Sequence, residues 1–382
     1  MTPPLGIGVI GTGNISMTYM RNAALFADLR LVACADLSAG AAAARAAEYG
    51  VRALAVDALL ADPEVDLVLN LTVPSAHVAV TLAALSAGKH VFTEKPLATS
   101  AADGRPLVAE AEARGLLLGS APDTFLGAAG RCARRLIDTG AIGTPVGGTA
   151  FMFGRGMEHW HPNPQFYYQP GGGPLFDMGP YYLTMLASLL GPVARVQAVA
   201  TRGQAERRVT AAGPHQGTTF PVGTPTTILS LLEFASGALV SFGTSWDVFR
   251  HTPPPIELHG TGGSLRLPDP DTFGGTVSLS AGGAAWQDHP SDGALYGAPN
   301  WPFDAPDRAN YRMLGLADLV RARAEGRAPR ASGALALHVL EVMEAIMTAA
   351  DARAAVAVPP AAVRPLPLGE DEAGRLLAPQ GA

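Results

Sequence analysis

The chain has 382 residues, 48% hydrophobic and 16% charged, with a formal net charge of -6. That length admits two domains and a large core, and the composition excludes a disordered chain. The acidic balance argues against a nucleic-acid binder, and the basic stretches at 202–208 and 321–327, broken by acids, read as solvated faces. From the amino terminus, short apolar runs at 5–10, 29–35, 51–56, 65–71, 89–93 and 116–121 read as strands. Helical patterns lie between them, for example at 38–49, 75–87 and 101–114. Such alternation predicts βαβ units, and nearly all-apolar strands predict a parallel sheet covered on both faces. Beyond residue 125 the pattern changes. One helix at 126–138 is followed by longer strand runs at 147–153, 193–201, 226–234, 238–247 and 255–260, with a hairpin signal at Ser236-Gly237. Residues 155–173 and 203–225 read as loops, 309–324 and 334–350 as helices, and the Pro/Ala-rich tail from 359 as irregular.

The expected architecture is therefore α/β followed by α+β: a doubly wound parallel sheet over 1–124, then an open, mainly antiparallel sheet with few helices over 125–382. The helices within 309–350 are candidates to pack back on the first domain. Two cysteines, Cys34 and Cys132, make neither a disulfide framework nor a zinc spacing. The first residues, Met1-Thr2-Pro3-Pro4-Leu5, lack a charged region ahead of the first strand and do not read as a signal peptide. No apolar run approaches the ~20 residues of a membrane span. The expectation is a cytoplasmic protein with no membrane or nucleic-acid partner.

The turn Gly11-Thr12-Gly13-Asn14-Ile15-Ser16 follows the first strand and opens a helix. It matches G-x-G-x-x-G except at its last position. Gly11 permits the tight turn, Gly13 lets backbone approach a pyrophosphate at the helix amino terminus, and Ser16 is small enough for close packing. Asp36 ends the second strand, where a carboxylate accepts hydrogen bonds from a ribose 2′-hydroxyl and repels a 2′-phosphate. The reading is a Rossmann domain that binds NAD in preference to NADP. A helix cap is the competing role for Asp36, although Ser38 also suits it.

Glu94-Lys95-Pro96 ends an apolar strand, an unusual place for a charged pair unless it faces a ligand at the carboxyl edge of the sheet. Pro96 holds Lys95 extended. A lysine placed there is a candidate for chemistry. Burial and a positive nicotinamide would both disfavour the ammonium form of Lys95, so it suits either a base or a charged donor. The competing reading is a surface lysine paired with Glu94. Thr124 follows a later strand end and is a candidate to line the site. The loop Glu158-His159-Trp160-His161-Pro162-Asn163-Pro164, with Phe166-Tyr167-Tyr168 after it, is dense in aromatic faces and polar tips, the groups that line small-molecule sites. His159 and His161 are candidate substrate contacts or bases. The H-x-H pattern lacks a third ligand, and no metal is expected.

The chain resembles the Gfo/Idh/MocA oxidoreductases, the family of glucose–fructose oxidoreductase and inositol dehydrogenase. The resemblance rests on Gly11-Thr12-Gly13-Asn14-Ile15, on Leu71-Thr72-Val73-Pro74 with His77, on Ala87-Gly88-Lys89-His90-Val91 before Glu94-Lys95-Pro96-Leu97, and on Gly171-Gly172-Gly173 before Asp177-Met178-Gly179. It spans most of the first 180 residues. It implies a pyridine-nucleotide-dependent enzyme acting on a sugar, glycoside or cyclitol, with Asn14, Ile15, Thr72, Pro74, His77 and Glu94 near the cofactor. It also implies a cis bond before Pro96, Lys95 beside the nicotinamide and in contact with the reacting hydroxyl, and Asp177 near that hydroxyl, where oxidising a secondary alcohol needs a hydride acceptor and a base of suitable pKa. Where the family usually carries D-x-G-x-H, this chain has Tyr181 in the histidine position. Tyr181 is then a hydrogen-bond donor, an acid–base of lowered pKa, or a packing surface for the sugar. Two other functions remain open at this level: glycoside cleavage through transient oxidation by tightly held NAD, and a non-catalytic sensor. A homodimer or homotetramer is expected from an exposed sheet face.

Overall fold

A computed structural model describes residues 4–300 and 308–379; Met1, Thr2 and Pro3 of the amino-terminal expectation lie outside the described residues. The first sheet is built from β1 (Leu5–Ile10), β2 (Leu29–Ala35), β3 (Arg52–Ala53), β4 (Leu67–Asn70), β5 (His90–Thr93) and β6 (Leu118–Ser120). Between these strands run α1 (Asn14–Asn22), α2 (Ala39–Tyr49), α3 (Val56–Ala61), α4 (His77–Ser86) and α5 (Ala101–Ala113). The six strands pair in the order β3-β2-β1-β4-β5-β6, all parallel. β1, β4 and β5 are buried at every position, as sheet covered on both faces requires. The order reverses between β1 and β4. That reversal opens a crevice at the carboxyl ends of the strands.

The expected strand at 51–56 is shorter. Only Arg52 and Ala53 pair, at the sheet edge, and Val56 already belongs to α3, which buries Leu59 and Leu60. Burial of that helical face overrides the local strand propensity.

The second part contains α6 (Ala128–Asp138), β7 (Pro145–Phe153), α7 (Gly173–Leu190), β8 (Val193–Thr201), β9 (Glu206–Arg208), β10 (Thr219–Pro221), β11 (Thr227–Phe234), β12 (Leu239–Ser245), β13 (Ile256–Gly260), β14 (Gly263–Leu267), β15 (Thr276–Ala281) and β16 (Gln287–Pro290). It closes with α8 (Leu314–Glu325), α9 (Gly333–Ala352), β17 (Val356–Ala357) and α10 (Glu370–Leu376). Nine strands form one sheet, β16-β15-β14-β13-β7-β12-β11-β8-β17, antiparallel except between β12 and β7. Helices α6, α7 and α9 cover one face. The other face exposes Val199, Leu229, Leu231 and Leu239.

Three expectations change here. Residues 203–225 are not all loop, because β9 and β10 form a short hairpin. The hairpin packs with Met157, Tyr168 and Trp246 in a small separate core that also gathers the 155–173 segment. The tail beyond 359 is not wholly irregular. Its helix α10 follows Gly369 with three acids in the first turn, which complement the helix dipole, and Ala27 N–H donates to the Leu376 carbonyl. Finally, α9 is long and apolar enough to cross a bilayer by length and composition, contrary to the sequence estimate. It instead packs against both sheets, touching β6 and β8, and carries the buried His338 and Glu341.

Candidate active site

Three strand tips line the crevice side by side, because β2, β1 and β4 are neighbours. At the tip of β1, Gly11 adopts φ +99, and a Cβ there would lie 2.6 Å from the Leu71 carbonyl. Only glycine fits. Gly13 is different. It caps α1 with φ -67, and nothing lies within 4 Å of where its Cβ would be. The protein itself does not demand glycine at that point, whereas a phosphate seated against the backbone does. Ser16 is fully buried and its hydroxyl donates to the Gly13 carbonyl at 2.7 Å, so it takes the place of the third glycine as expected. Asn14 is exposed beside Gly13, and Ile15 is half-buried against the core.

Asp36 stands at the tip of β2. Its carboxylate accepts from Thr12 N–H at 2.7 Å, the Thr12 hydroxyl at 3.0 Å and Ser38 N–H at 2.9 Å. Partial burial pushes its pKa up, but these bonds outweigh burial and leave it below the ordinary carboxylate range. Ser38, not Asp36, caps α2. Thr12 fills both lone pairs of Oδ2, whereas Oδ1, with Ser38 N–H, retains accepting capacity for a ribose hydroxyl. Sequence reasoning missed two neighbours. Leu37 is 101% exposed and Val73 is 64% exposed, both at strand tips flanking Gly13. Apolar side chains left open at a crevice fit a planar ring between them.

Thr72 donates from N–H and hydroxyl to Asn70 Oδ1, at 3.2 and 2.7 Å, and Pro74 begins an exposed 3-10 turn. His77 is buried, with Nδ1 2.6 Å from the Pro96 carbonyl and Nε2 3.0 Å from the Thr72 carbonyl. It ties two strand-tip loops together from behind the crevice. Glu94 is also buried, accepting from the Tyr19 hydroxyl at 2.7 Å and from Lys95 N–H at 2.7 Å. In this geometry both side chains hold the strand-tip loops in place at the back of the crevice.

The Lys95–Pro96 bond is cis, as is Ala121–Pro122. Lys95 Nζ reaches α7, donating to the Asp177 carbonyl at 2.8 Å and to Asp177 Oδ1 at 3.0 Å. It is 5.3 Å from the centre of the Tyr181 ring. Burial acts to lower the lysine pKa. The negative charge of Asp177, with Tyr181 and Glu94, more than offsets it and raises the pKa above its ordinary value. Lys95 is therefore held as an ammonium donor in this structure. It is not a surface lysine; its main partner is Asp177, not Glu94. Asp177 does not cap its helix, because Gly172 holds that position.

Tyr181 is buried, and its hydroxyl accepts from Arg312 Nη2 at 3.1 Å. Burial, partly opposed by Lys95 and Arg312, pushes its pKa up to about 12. The lowered pKa considered from sequence is the reverse of what the site produces. Arg312 also donates to Asp271 Oδ1 at 3.1 Å. Asn22 Nδ2 donates to the carbonyls of Asn310 and Arg312, and Met313 adopts φ +99 directly after. A bulky residue at positive φ marks a locally strained turn held by its surroundings. Apart from that strain no local signal distinguishes Arg312, and no motif in the sequence pointed to it.

Thr124 is buried in the 3-10 turn before α6. Its neighbour Asp123 is more informative: fully enclosed, it accepts from Gly315 N–H at 2.8 Å, and burial pushes its pKa up to about 6. His159 is exposed, while His161 is half-buried among the rings of Trp160, Phe166 and Tyr167, its Nδ1 accepting from Asn163 N–H. Burial and the charge of Asp177 raise the pKa of Tyr167. The 3-10 turn Gln165–Tyr168 that carries its ring packs against α7, the helix of Asp177. Among the described residues, no three His, Cys, Asp or Glu side chains gather as a metal site.

Residues 5–121 match the family described as the oxidoreductase family, NAD-binding Rossmann fold, and residues 131–266 match the GFO/IDH/MocA C-terminal domain. The chain is 29% identical over 265 residues to 1,5-anhydro-D-fructose reductase of Ensifer adhaerens, covering 68% of this chain and 74% of that protein. It is 32% identical over 267 residues to dTDP-3,4-didehydro-2,6-dideoxy-alpha-D-glucose 3-reductase of Streptomyces violaceoruber, covering 69% and 72%. In fold it is similar to levoglucosan dehydrogenase in complex with NADH and L-sorbose, with a TM-score of 0.79 and 22% identity over 94% of this chain and 100% of that one. With both halves matched and a crevice that fits a dinucleotide, the chain belongs to the Gfo/Idh/MocA family of NAD-binding oxidoreductases.

Proposed function

We propose that this enzyme interconverts a secondary hydroxyl and a ketone on a sugar, glycoside or cyclitol. The observation that carries the reading is the Lys95–Asp177 pair, which joins the tip of β5 to α7 beside the crevice. Gly11, Gly13, Asn14 and Ile15 would hold the pyrophosphate, Asp36 the adenosine ribose, and Thr72 and Pro74 the floor of the crevice. When bound, NAD supplies the hydride acceptor or donor.

Lys95 Nζ donates to the reacting oxygen. In the reducing direction it stabilises the growing alkoxide and delivers a proton, and Asp177 holds the ammonium in place. Tyr181, kept neutral by burial and held by Arg312, presents its hydroxyl hydrogen to the same region. His159, His161 and Thr124 remain candidates for contacts farther along the substrate. We further infer a homodimer or homotetramer joined through the open sheet face. A reducing, cytoplasmic setting suits Cys34, buried, and Cys132, half-buried, both unpaired.

The test is a panel of sugars, glycosides and cyclitols, and of their keto forms, scored for NADH formation or consumption. Hydride transfer with at least one member is expected. Consumption of a glycoside with no net NADH would replace the reading by elimination chemistry, and NADH binding without turnover on any member would leave a sensor.

A further inference from the structure

Beyond the reacting ring, we propose that Trp160 and Phe166 form a stacking subsite for a second ring, so that the physiological substrate is a glycoside of at least two rings. This rests on the sugar reading of the same site and names its substrate class. Four rings are packed in one continuous cluster. His161 meets Trp160, Phe166 and Tyr167 edge-on at 5.3, 5.5 and 5.4 Å, and Phe166 lies 4.1 Å from Tyr167. The cluster has an inner and an outer end. At the inner end, Tyr167 is half-buried in the 3-10 turn Gln165–Tyr168, which packs against α7, the helix that carries Asp177 and Tyr181. At the outer end, Trp160 is 56% exposed and Phe166 is 57% exposed.

These outer rings are not on a loose loop. Trp160 and His161 N–H groups both donate to the Met157 carbonyl. The Tyr168 hydroxyl donates to Glu158, so one buried hydrogen bond closes the segment that carries all four rings. Arg207 in turn bonds Glu158 at 2.7 Å and Asp247, anchoring the closed loop to the β9–β10 hairpin and to the end of β12. A rigid segment that leaves two large aromatic faces in water is preorganised for a partner with apolar faces and little conformational cost. Lys95, Asp177 and Tyr181 surround one reacting carbon, so the ring beyond Tyr167 is a different one. Pyranose C–H faces stack on such aromatics.

The test compares paired probes on the NADH-bound enzyme. Cellobiose, xylobiose and mannobiose are titrated against the methyl glycosides of glucose, xylose and mannose, with tryptophan fluorescence and saturation-transfer NMR as readouts. At least one disaccharide is expected to bind about tenfold more tightly than its one-ring partner, the size of one good aromatic contact. In Trp160→Ala and Phe166→Ala that ratio should fall towards one, and Trp160→Phe should retain it. Equal binding of one-ring and two-ring probes throughout would overturn the subsite. So would shielding of Trp160 from acrylamide in the sugar-free enzyme, which would assign the rings to a subunit interface. Because binding is read without turnover, failure of the oxidoreductase reading shows separately, as ring selectivity with no hydride transfer.

Discussion

Lys95 and Asp177 stand 82 residues apart in the chain, yet Nζ of the first lies 3.0 Å from the carboxylate and 2.8 Å from the carbonyl of the second. The pair links the parallel sheet to the helix that covers the antiparallel one. It fixes the charge of the lysine beside the crevice, where the proposed reaction brings substrate and nicotinamide together.

Replacement of Lys95 by alanine should therefore cost turnover and spare the cofactor. We expect kcat to fall by about 10²–10⁴-fold, the usual range for loss of an acid–base group. NAD affinity by calorimetry should stay close to wild type, because the Gly11–Gly13 turn and Asp36 do not touch Lys95. Equal loss of both would remove its catalytic assignment.

Tyr181→Phe tests the residue in the family's histidine position. Its pKa, pushed to about 12 mainly by burial, keeps it protonated over the working range. The variant should lose about tenfold in kcat/KM, the worth of one hydrogen bond, and keep any alkaline limb of the wild-type pH profile. Disappearance of that limb would show that Tyr181 ionises during the cycle.

Asp123 gives a pH signature in stability. Its folded pKa, raised to about 6 by burial, exceeds the ordinary 3.8. The folded state thus binds the extra proton, and the stabilising contribution is full below pH ~4 and lost as pH rises through ~6. Asp123→Asn keeps an acceptor for Gly315 N–H without the buried charge. It should be more stable than wild type at pH 8 by about 2 kcal/mol, and the gain should vanish near pH ~4. Thermal denaturation at both pH values checks this; a constant difference would refute it.

Asp36→Ser should weaken NAD use by about 10–100-fold in kcat/KM, the worth of hydrogen bonds to a charged group, and improve NADP use. Steady-state kinetics with both dinucleotides decides, and an unchanged preference would mean another residue reads the ribose.

Leu231 is 54% exposed on the open sheet face, among Val199, Leu229 and Leu239. An apolar patch of that kind supports the inferred subunit interface. Leu231→Asp should shift the protein from oligomer to monomer in light scattering after gel filtration. A wild type that is already monomeric would dismiss the interface.

Much of the parallel sheet was legible locally. Strands buried on both faces must be apolar throughout, so β1 was readable to the residue, as was β2 despite its exposed Arg30. Gly11, by lacking a side chain, and Asp36, by its carboxylate, carry their constraints in their own chemistry. The edges were not legible. At 51–56 and in the tail beyond 359, burial against distant elements decided between strand, coil and helix. The candidate site divides in the same way. Gly13, Lys95 and Asp177 announce themselves by type and by the strand or helix they punctuate. Arg312 does not, because its bond to Tyr181 spans 131 residues and is made by a turn that Asn22 holds from the other domain. The charge states were equally out of reach. Whether Lys95 is a base or a cation, and whether Tyr181 ionises, depends on which charges burial brings within a few ångströms, and only the tertiary fold sets those distances.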